Sequence, residues 1–241
     1  MALSGCKVFD SANNGDSALR SLFESAGGLT KASQRALLGD SLAPEFTEAD
    51  IRQGQRPNGV TDPDSADYVA LRDAGFRDYV LNVTGLVETP VSLPYADIMA
   101  LPSRTQITRH DCVEGWSCIA KWTGVPLGTV LNMAKPLATA RYAVFHCYDV
   151  IDASLAGPIT YYESIDLFDA YHPQTILAYH VNGAPLPVAN GAPLRVRVER
   201  QLGYKMAKYI HTIELADSLT GFGGGNGSYW ADQGYEWYAG I

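Results

Sequence analysis

The chain has 241 residues, 46% hydrophobic and 18% charged, which supplies enough apolar surface for one large core and too much for a disordered segment. Its formal net charge of -8 argues against a nucleic-acid partner, which would need clustered Lys and Arg. No run approaches the roughly 20 apolar residues that a membrane-spanning helix requires.

At the start, Leu3-Ser4-Gly5-Cys6 has the look of a bacterial lipobox, and the polar run Asp10 to Asp16 suits a tether leading away from a membrane. A lipid anchor at Cys6 is therefore an expectation, and an unmodified Cys6 in mass spectra of the protein from native membranes would remove it. Neither a charged leader nor an apolar core precedes the motif, so any export signal is assigned to a segment already removed. Leu19, Leu22, Phe23, Leu37 and Leu38 carry helical spacing, and Gly27-Gly28 predicts a break between two short helices. Residues 41–66 are rich in Pro, Gly, Asn and Asp and read as an extended loop. A short helix is expected over Asp67 to Gly75.

From Tyr79 the texture turns to strands. Tyr79 to Val87 alternates and is β-branched. Tyr95 to Leu101 reads as a helix, Thr105 to Thr108 as a strand, and Val125 to Met133 as a helix with Pro126 in its first turn. Further strands are expected at Arg141–Tyr148, Ile176–Val181, Leu194–Val198 and Ala207–Leu215, with turns at Asn182-Gly183 and Asn190-Gly191. The tail from Gly221 predicts no regular element, and its glycine run reads as a flexible loop because a phosphate loop would need a trailing Gly-Lys-Ser/Thr. Strands and helices do not alternate regularly, so the fold class is α+β with many short strands, in two parts: an N-terminal tether and helical arm over 1–44, and a body over 45–241.

The chemistry concentrates in Arg109-His110-Asp111-Cys112-Val113-Glu114-Gly115-Trp116-Ser117. A Cys at a strand end beside Arg109 and His110 suggests an activated thiolate in an anionic site, since neighbouring cations lower a thiol pKa. A buried inert thiol explains the same residues. A cysteine protease would need a nucleophile at a helix start, and nothing local supplies one. Cys6, Cys112, Cys118 and Cys147 match no zinc spacing, and Cys118 with Cys147 is the first pair to consider for a disulfide, inert thiols being the plainer alternative.

Cys112 to Ser117 followed by Trp122-Thr123-Gly124-Val125-Pro126-Leu127 resembles the metal-binding segment of the sulfite oxidase fold family of molybdopterin enzymes. Within that family the branch of the periplasmic peptide-methionine-sulfoxide reductase is the most similar. The resemblance runs on through Val83-Thr84-Gly85-Leu86-Val87-Glu88, Pro185-Leu186-Pro187, Asn190 to Arg195, Gly203-Tyr204-Lys205 and Gly234 to Tyr238, so it covers about residues 45 to 241. It implies a mixed α/β molybdopterin-binding fold and Cys112 as the molybdenum ligand, with one soft thiolate leaving positions open on a metal already held by a dithiolene. It also implies that Asn58, Asn190 and Arg195 hold the pterin, while Gly203, Lys205 and Lys208 serve its phosphate. Arg109 belongs to the same anionic site, and Cys147 falls beside the metal pocket. Taken singly, each of these residues reads as readily as a turn former or a solvated charge.

Two departures from sulfite oxidases bear on the substrate. The small-Asn-Arg run expected after the ligand Cys is replaced by Val113-Glu114-Gly115-Trp116, and Glu114 would repel sulfite if it faced the metal. About thirty residues follow the Gly203-Tyr204-Lys205 turn, too few for an immunoglobulin-like dimerisation domain of roughly 100 residues, so a monomer is expected. The resemblance thus implies an exported molybdenum–pterin oxidoreductase, using the form of the cofactor without a mononucleotide. It would act on a small S- or N-oxide or a protein methionine sulfoxide, in the periplasm or cell envelope. Its electrons would come from a separate haem or quinol partner, because no Cys-x-x-Cys-His is present. The alternatives are a sulfite dehydrogenase and a non-catalytic envelope lipoprotein that keeps the fold.

Overall fold

A computed structural model describes residues 18–241 apart from 53 and 156. Cys6 and the polar tether lie outside the described residues. In chain order the elements are α1 (Ala18–Leu38), α2 (Ala66–Asp73), β1 (Val80–Gly85), β2 (Val91–Pro94), α3 (Tyr95–Ala100), β3 (Arg104–Asp111), β4 (Ser117–Pro126) and α4 (Leu127–Ala134). There follow β5 (Tyr142–Ser154), β6 (Gly157–Asp166), α5 (Leu167–Ala170), β7 (Ile176–Val181), β8 (Ala184–Pro185), β9 (Arg195–Arg197), β10 (Ile210–Ala216) and α6 (Tyr229–Asp232). No described helix is long and apolar enough to cross a membrane.

The strands form two sheets. One runs β2-β1-β10-β5-β6, with β1 and β10 parallel and the other neighbours antiparallel. The other runs β3-β4-β7-β8, with β9 also paired to β7. Leu81 and Val83 of β1, Phe145 of β5, Leu177 of β7 and Ile213 of β10 meet in one apolar cluster, so residues from both sheets share a core. Alternation follows burial where a strand is covered on one face: in β4, Cys118, Ala120 and Trp122 are buried and Ser117, Ile119, Lys121 and Thr123 between them are less so. β7 is buried along nearly its whole length, as a strand with partners on both sides and cover on both faces must be. The Asn182-Gly183 turn closes β7 onto β8 with both residues at positive φ, 51° and 82°, as a two-residue hairpin requires.

Three expectations need correction. The segment around Gly27-Gly28 is one continuous 21-residue helix, not two short ones. Two glycines cost a helix only about 1 kcal/mol each, and tertiary contacts outweigh that. Lys31 and Arg35 of α1 pair with Asp166, and the Lys31 ammonium lies 4.5 Å from the centroid of the Trp237 ring. Second, β4 and β6 are strands where none is expected from sequence, and β3 and β5 run longer than predicted. Third, the Gly221–Gly227 run is held in place: the Asp232 carboxylate accepts from Tyr162, from the Gly224 and Asn226 amides and from the Asn226 side chain. A short helix, α6, follows it. Cys118 and Cys147 are both buried free thiols on strands of different sheets, which is the inert reading set beside the disulfide.

Candidate active site

Cys112 sits where β3 hands over to β4. Its amide donates to the Trp116 carbonyl at 2.9 Å and its carbonyl accepts from the Gly115 amide at 3.0 Å, closing a five-residue turn with Gly115 at φ 84°. The side chain is 8% exposed and lines a cavity whose walls come from distant parts of the chain. Asn58, Gly59 and Val60 form one side, Asp149 and Tyr161 the floor of β5 and β6, Gly203 and Lys208 another side, and Trp230 with Tyr235 the C-terminal wall.

Alternation along β3 separates the two residues expected to activate the thiol. Arg109 points outward, pairs with Asp111 at 2.9 Å and lines a different hollow, so the expected contribution of Arg109 to this site is not seen. His110 points inward and is 1% exposed. Burial first, then the charges of Arg197, Arg195 and Lys208, push its pKa far down, so it is neutral and cannot act as a cation beside the thiol. Its Nδ1 accepts from Arg197 Nη1 at 2.8 Å, which leaves the proton on Nε2. Burial raises the Cys112 thiol pKa, so the thiol is protonated until a metal displaces the proton.

The cations expected at the phosphate fall into two groups. Lys205 is fully buried and paired with Glu163, which takes its ammonium away from the cavity. Arg195 and Lys208 have no carboxylate partner among the described residues. Arg195 donates to the Asn190 carbonyl at 3.0 Å and the Met206 carbonyl at 3.4 Å, its Nε has no partner, and burial, with Arg197 nearby, lowers its pKa to about 9. Lys208 donates to the carbonyls of Asn58 at 2.6 Å and Ala189 at 3.3 Å and to that of Val60, and burial together with Arg195 lowers its pKa to about 7. Gly191 lies between them at φ 111°, and a Cβ there would come within 2.9 Å of Lys208 Cγ and 3.2 Å of Arg195 Cβ. Gly203 is equally constrained, because a Cβ would stand 2.4 Å from His110 Nε2.

Of the residues named from sequence, Cys112, Asn58, Gly203 and Lys208 line the cavity. Arg195 and Asn190 stand behind it, and the Asn190 side chain reaches the Gln55 carbonyl at 3.4 Å. Cys147 is 2% exposed within the main core, and burial pushes its thiol pKa far up. Sequence reading missed Asp149, Trp230 and Tyr235. Tyr161 of β6 lines this cavity as well.

No group of three His, Cys, Asp or Glu side chains that could hold a metal occurs among the described residues. A metal at Cys112 would therefore have to arrive with most of its ligands. A dithiolene pterin does so, and its phosphate would answer the buried, uncompensated charges of Arg195 and Lys208. The donor set and the two crowded glycines fit that group.

Residues 68–220 match the family described as the oxidoreductase molybdopterin binding domain. The chain belongs to this family. It is 36% identical over 201 residues to the putative protein-methionine-sulfoxide reductase subunit YedZ1 of Azospira oryzae, covering 83% of this chain and 69% of that one. It is 35% identical to the protein-methionine-sulfoxide reductase catalytic subunit MsrP of Xanthomonas axonopodis pv. citri, and 36% identical to MsrP of Gluconobacter oxydans. Those two matches cover 66% and 58% of this chain, and the chain spans about half of each relative, 50% and 47%. Among solved structures, the sulfane dehydrogenase SoxCD of Paracoccus pantotrophus shares the fold, with a TM-score of 0.52 at 18% identity over 74% of this chain and 46% of that one. The molybdopterin-binding fold expected from sequence is thus the fold of this chain.

Proposed function

We propose that this molybdopterin-binding chain is the catalytic part of an oxide reductase, acting on protein methionine sulfoxide or a small S- or N-oxide. The observation that carries the reading is the meeting of the Cys112 thiol with Lys208, Gly203 and Asn58 in one cavity. When bound, the molybdenum–pterin supplies two-electron, oxygen-atom-transfer-type chemistry. The Cys112 thiolate would be its metal ligand, and Arg195 and Lys208 would neutralise the phosphate of a pterin that carries no nucleotide. The names of the relatives support a sulfoxide substrate.

The position of Glu114 supports an oxide over sulfite. It lines the same cavity, exposed, with its carboxylate accepting from the Trp116 indole at 2.8 Å. A negative charge at the entrance repels a dianion and leaves a neutral oxide unaffected. The reading includes a haem or quinol partner as electron donor, a monomeric state, and a place in the periplasm or cell envelope, with Cys6 as a lipid anchor.

Molybdenum content of wild type and Cys112→Ala, purified from a host that makes the pterin, tests the reading together with oxide reduction by a reduced viologen dye. Wild type is expected to hold one molybdenum per chain and reduce a peptide methionine sulfoxide, and the variant to do neither. A folded wild type without molybdenum would sink the proposal.

A further inference from the structure

Asp149 is an acid for which the cofactor site has no use. It lies on β5 between His146 and Val150, where the pairing register with β6 shifts, and such irregularities re-aim side chains. Asp149 is 3% exposed, lines the cavity that holds Cys112, and its Oδ1 has no hydrogen-bond partner. An unpartnered buried carboxylate is costly unless it carries a proton.

The geometry points to Asp149 as the proton donor to the oxygen that leaves the substrate. The inference rests on the oxide-reductase reading. In the reaction the sulfur–oxygen bond breaks, sulfur gains two electrons from a quinol-class donor, and oxygen departs as water with two protons. Asp149 delivers one of these and is reprotonated from solvent, which also supplies the second.

The surroundings suit the role. Burial raises the Asp149 pKa to about 6, against the opposing pull of its own backbone amide and of Lys208, so the acid form persists close to neutrality. The other groups facing it are Tyr161 of β6, Tyr68 of α2, Tyr209 and Cys147, and burial raises all four, which keeps them neutral. Lys208 is the one other facing group placed near neutrality, at about 7. Two wall acids are occupied or remote: the Tyr161 hydroxyl donates to the Tyr204 carbonyl at 2.6 Å, and Glu114 is open to solvent.

Asp149→Asn and Asp149→Glu holoenzymes, each assayed for molybdenum, test the inference with a peptide methionine sulfoxide and a reduced viologen dye. Wild-type kcat/KM should fall about tenfold per pH unit above about 6. Asp149→Asn should lose roughly 100-fold at low pH and lose that limb, while Asp149→Glu should restore a limb at a shifted pH. Independently of activity, the infrared carboxylic band of the metal-free wild type should titrate near 6, and that component should vanish in Asp149→Asn. A fully loaded Asp149→Asn with the wild-type profile overturns the inference, as does a folded Asp149→Asn that fails to load molybdenum, which would make Asp149 a cofactor holder. If Asp149→Asn does not fold, a pH limb unmoved in Asp149→Glu overturns it. A molybdenum-loaded wild type that reduces no oxide overturns the underlying reading, a result visible before any Asp149 variant is made.

Discussion

Two sets of buried cations lie close together and are treated in opposite ways. Arg197 and Lys205 are fully buried and matched: Arg197 meets both oxygens of Glu199 at 2.9 and 2.7 Å, with Gln106 donating to the same carboxylate, and Lys205 meets Glu163. Arg195 and Lys208 are also buried, yet their hydrogen bonds go only to backbone carbonyls, and the Arg195 guanidinium faces the Trp122 ring at 5.1 Å. The first set is complete in the protein alone. On the proposed reading the second would be completed by the phosphate of the pterin, which would separate residues that hold the fold from residues that hold a ligand.

The largest effect that can break this comparison is the removal of one charge from each set. Lys205→Met leaves Glu163 buried and alone, and should cost the metal-free protein about 3–5 kcal/mol in urea unfolding, with most of it recovered by adding Glu163→Leu. Arg195→Met removes a charge that has no counter-charge, and should change metal-free stability by about 1 kcal/mol or less while molybdenum content falls. Equal destabilisation by the two single variants would show that Arg195 belongs to the fold and not to the site.

A smaller effect sharpens the same contrast through pH. The folded pKa of Lys208, about 7, lies below its unfolded value, so between the two the unfolded chain binds more protons and stability rises with pH. Below about 7 the folded protein carries the charge with no carboxylate in ion-pair contact among the described residues. Inorganic phosphate should therefore stabilise the metal-free protein by about 1.4 kcal/mol at ten times the dissociation constant below this pH, and by less above it. Lys208→Met should abolish the difference, and a phosphate effect independent of Lys208 would place the anion elsewhere.

How much of this was legible in sequence follows from what each residue is asked to do. β1, whose alternation is written in large apolar side chains, and β7, a nearly continuous apolar run, were found, and so was the Asn182-Gly183 hairpin. β4 buries Ala120 and Gly124 beside Trp122, and small residues carry little periodic signal. β6 buries Glu163, Ser164 and Asp166 on both of its faces, so its buried stretch reads as polar and its Pro158 as a breaker. At the site, Cys112, Asn58, Gly203 and Lys208 belong to ordered motifs and were found together. Spacing does not say which strand face Arg109 takes or which carboxylate meets Lys205, and both side chains turn to partners outside the cavity. Asp149 had no motif at all: its character comes from a register shift and from burial, both of which exist only in the folded chain.

Gly27-Gly28 is a case where local propensity pointed one way and packing the other, and it yields the smallest effect. A Cβ on Gly28 would meet nothing within 4 Å, whereas one on Gly27 would stand 2.8 Å from Glu236 Oε2. In a continuous helix, Gly28→Ala should therefore stabilise the protein by about 0.5–1 kcal/mol. Gly27→Ala should give less, because the added methyl displaces the Glu236 carboxylate. If the two glycines instead formed a hinge between short helices, alanine at Gly28 would oppose the bend and destabilise. Urea unfolding of the two variants followed by circular dichroism distinguishes these outcomes. A gain at Gly28 that exceeds the gain at Gly27 would show that the helix runs unbroken beneath Glu236, with its Lys31 and Arg35 contacts on the body holding it straight.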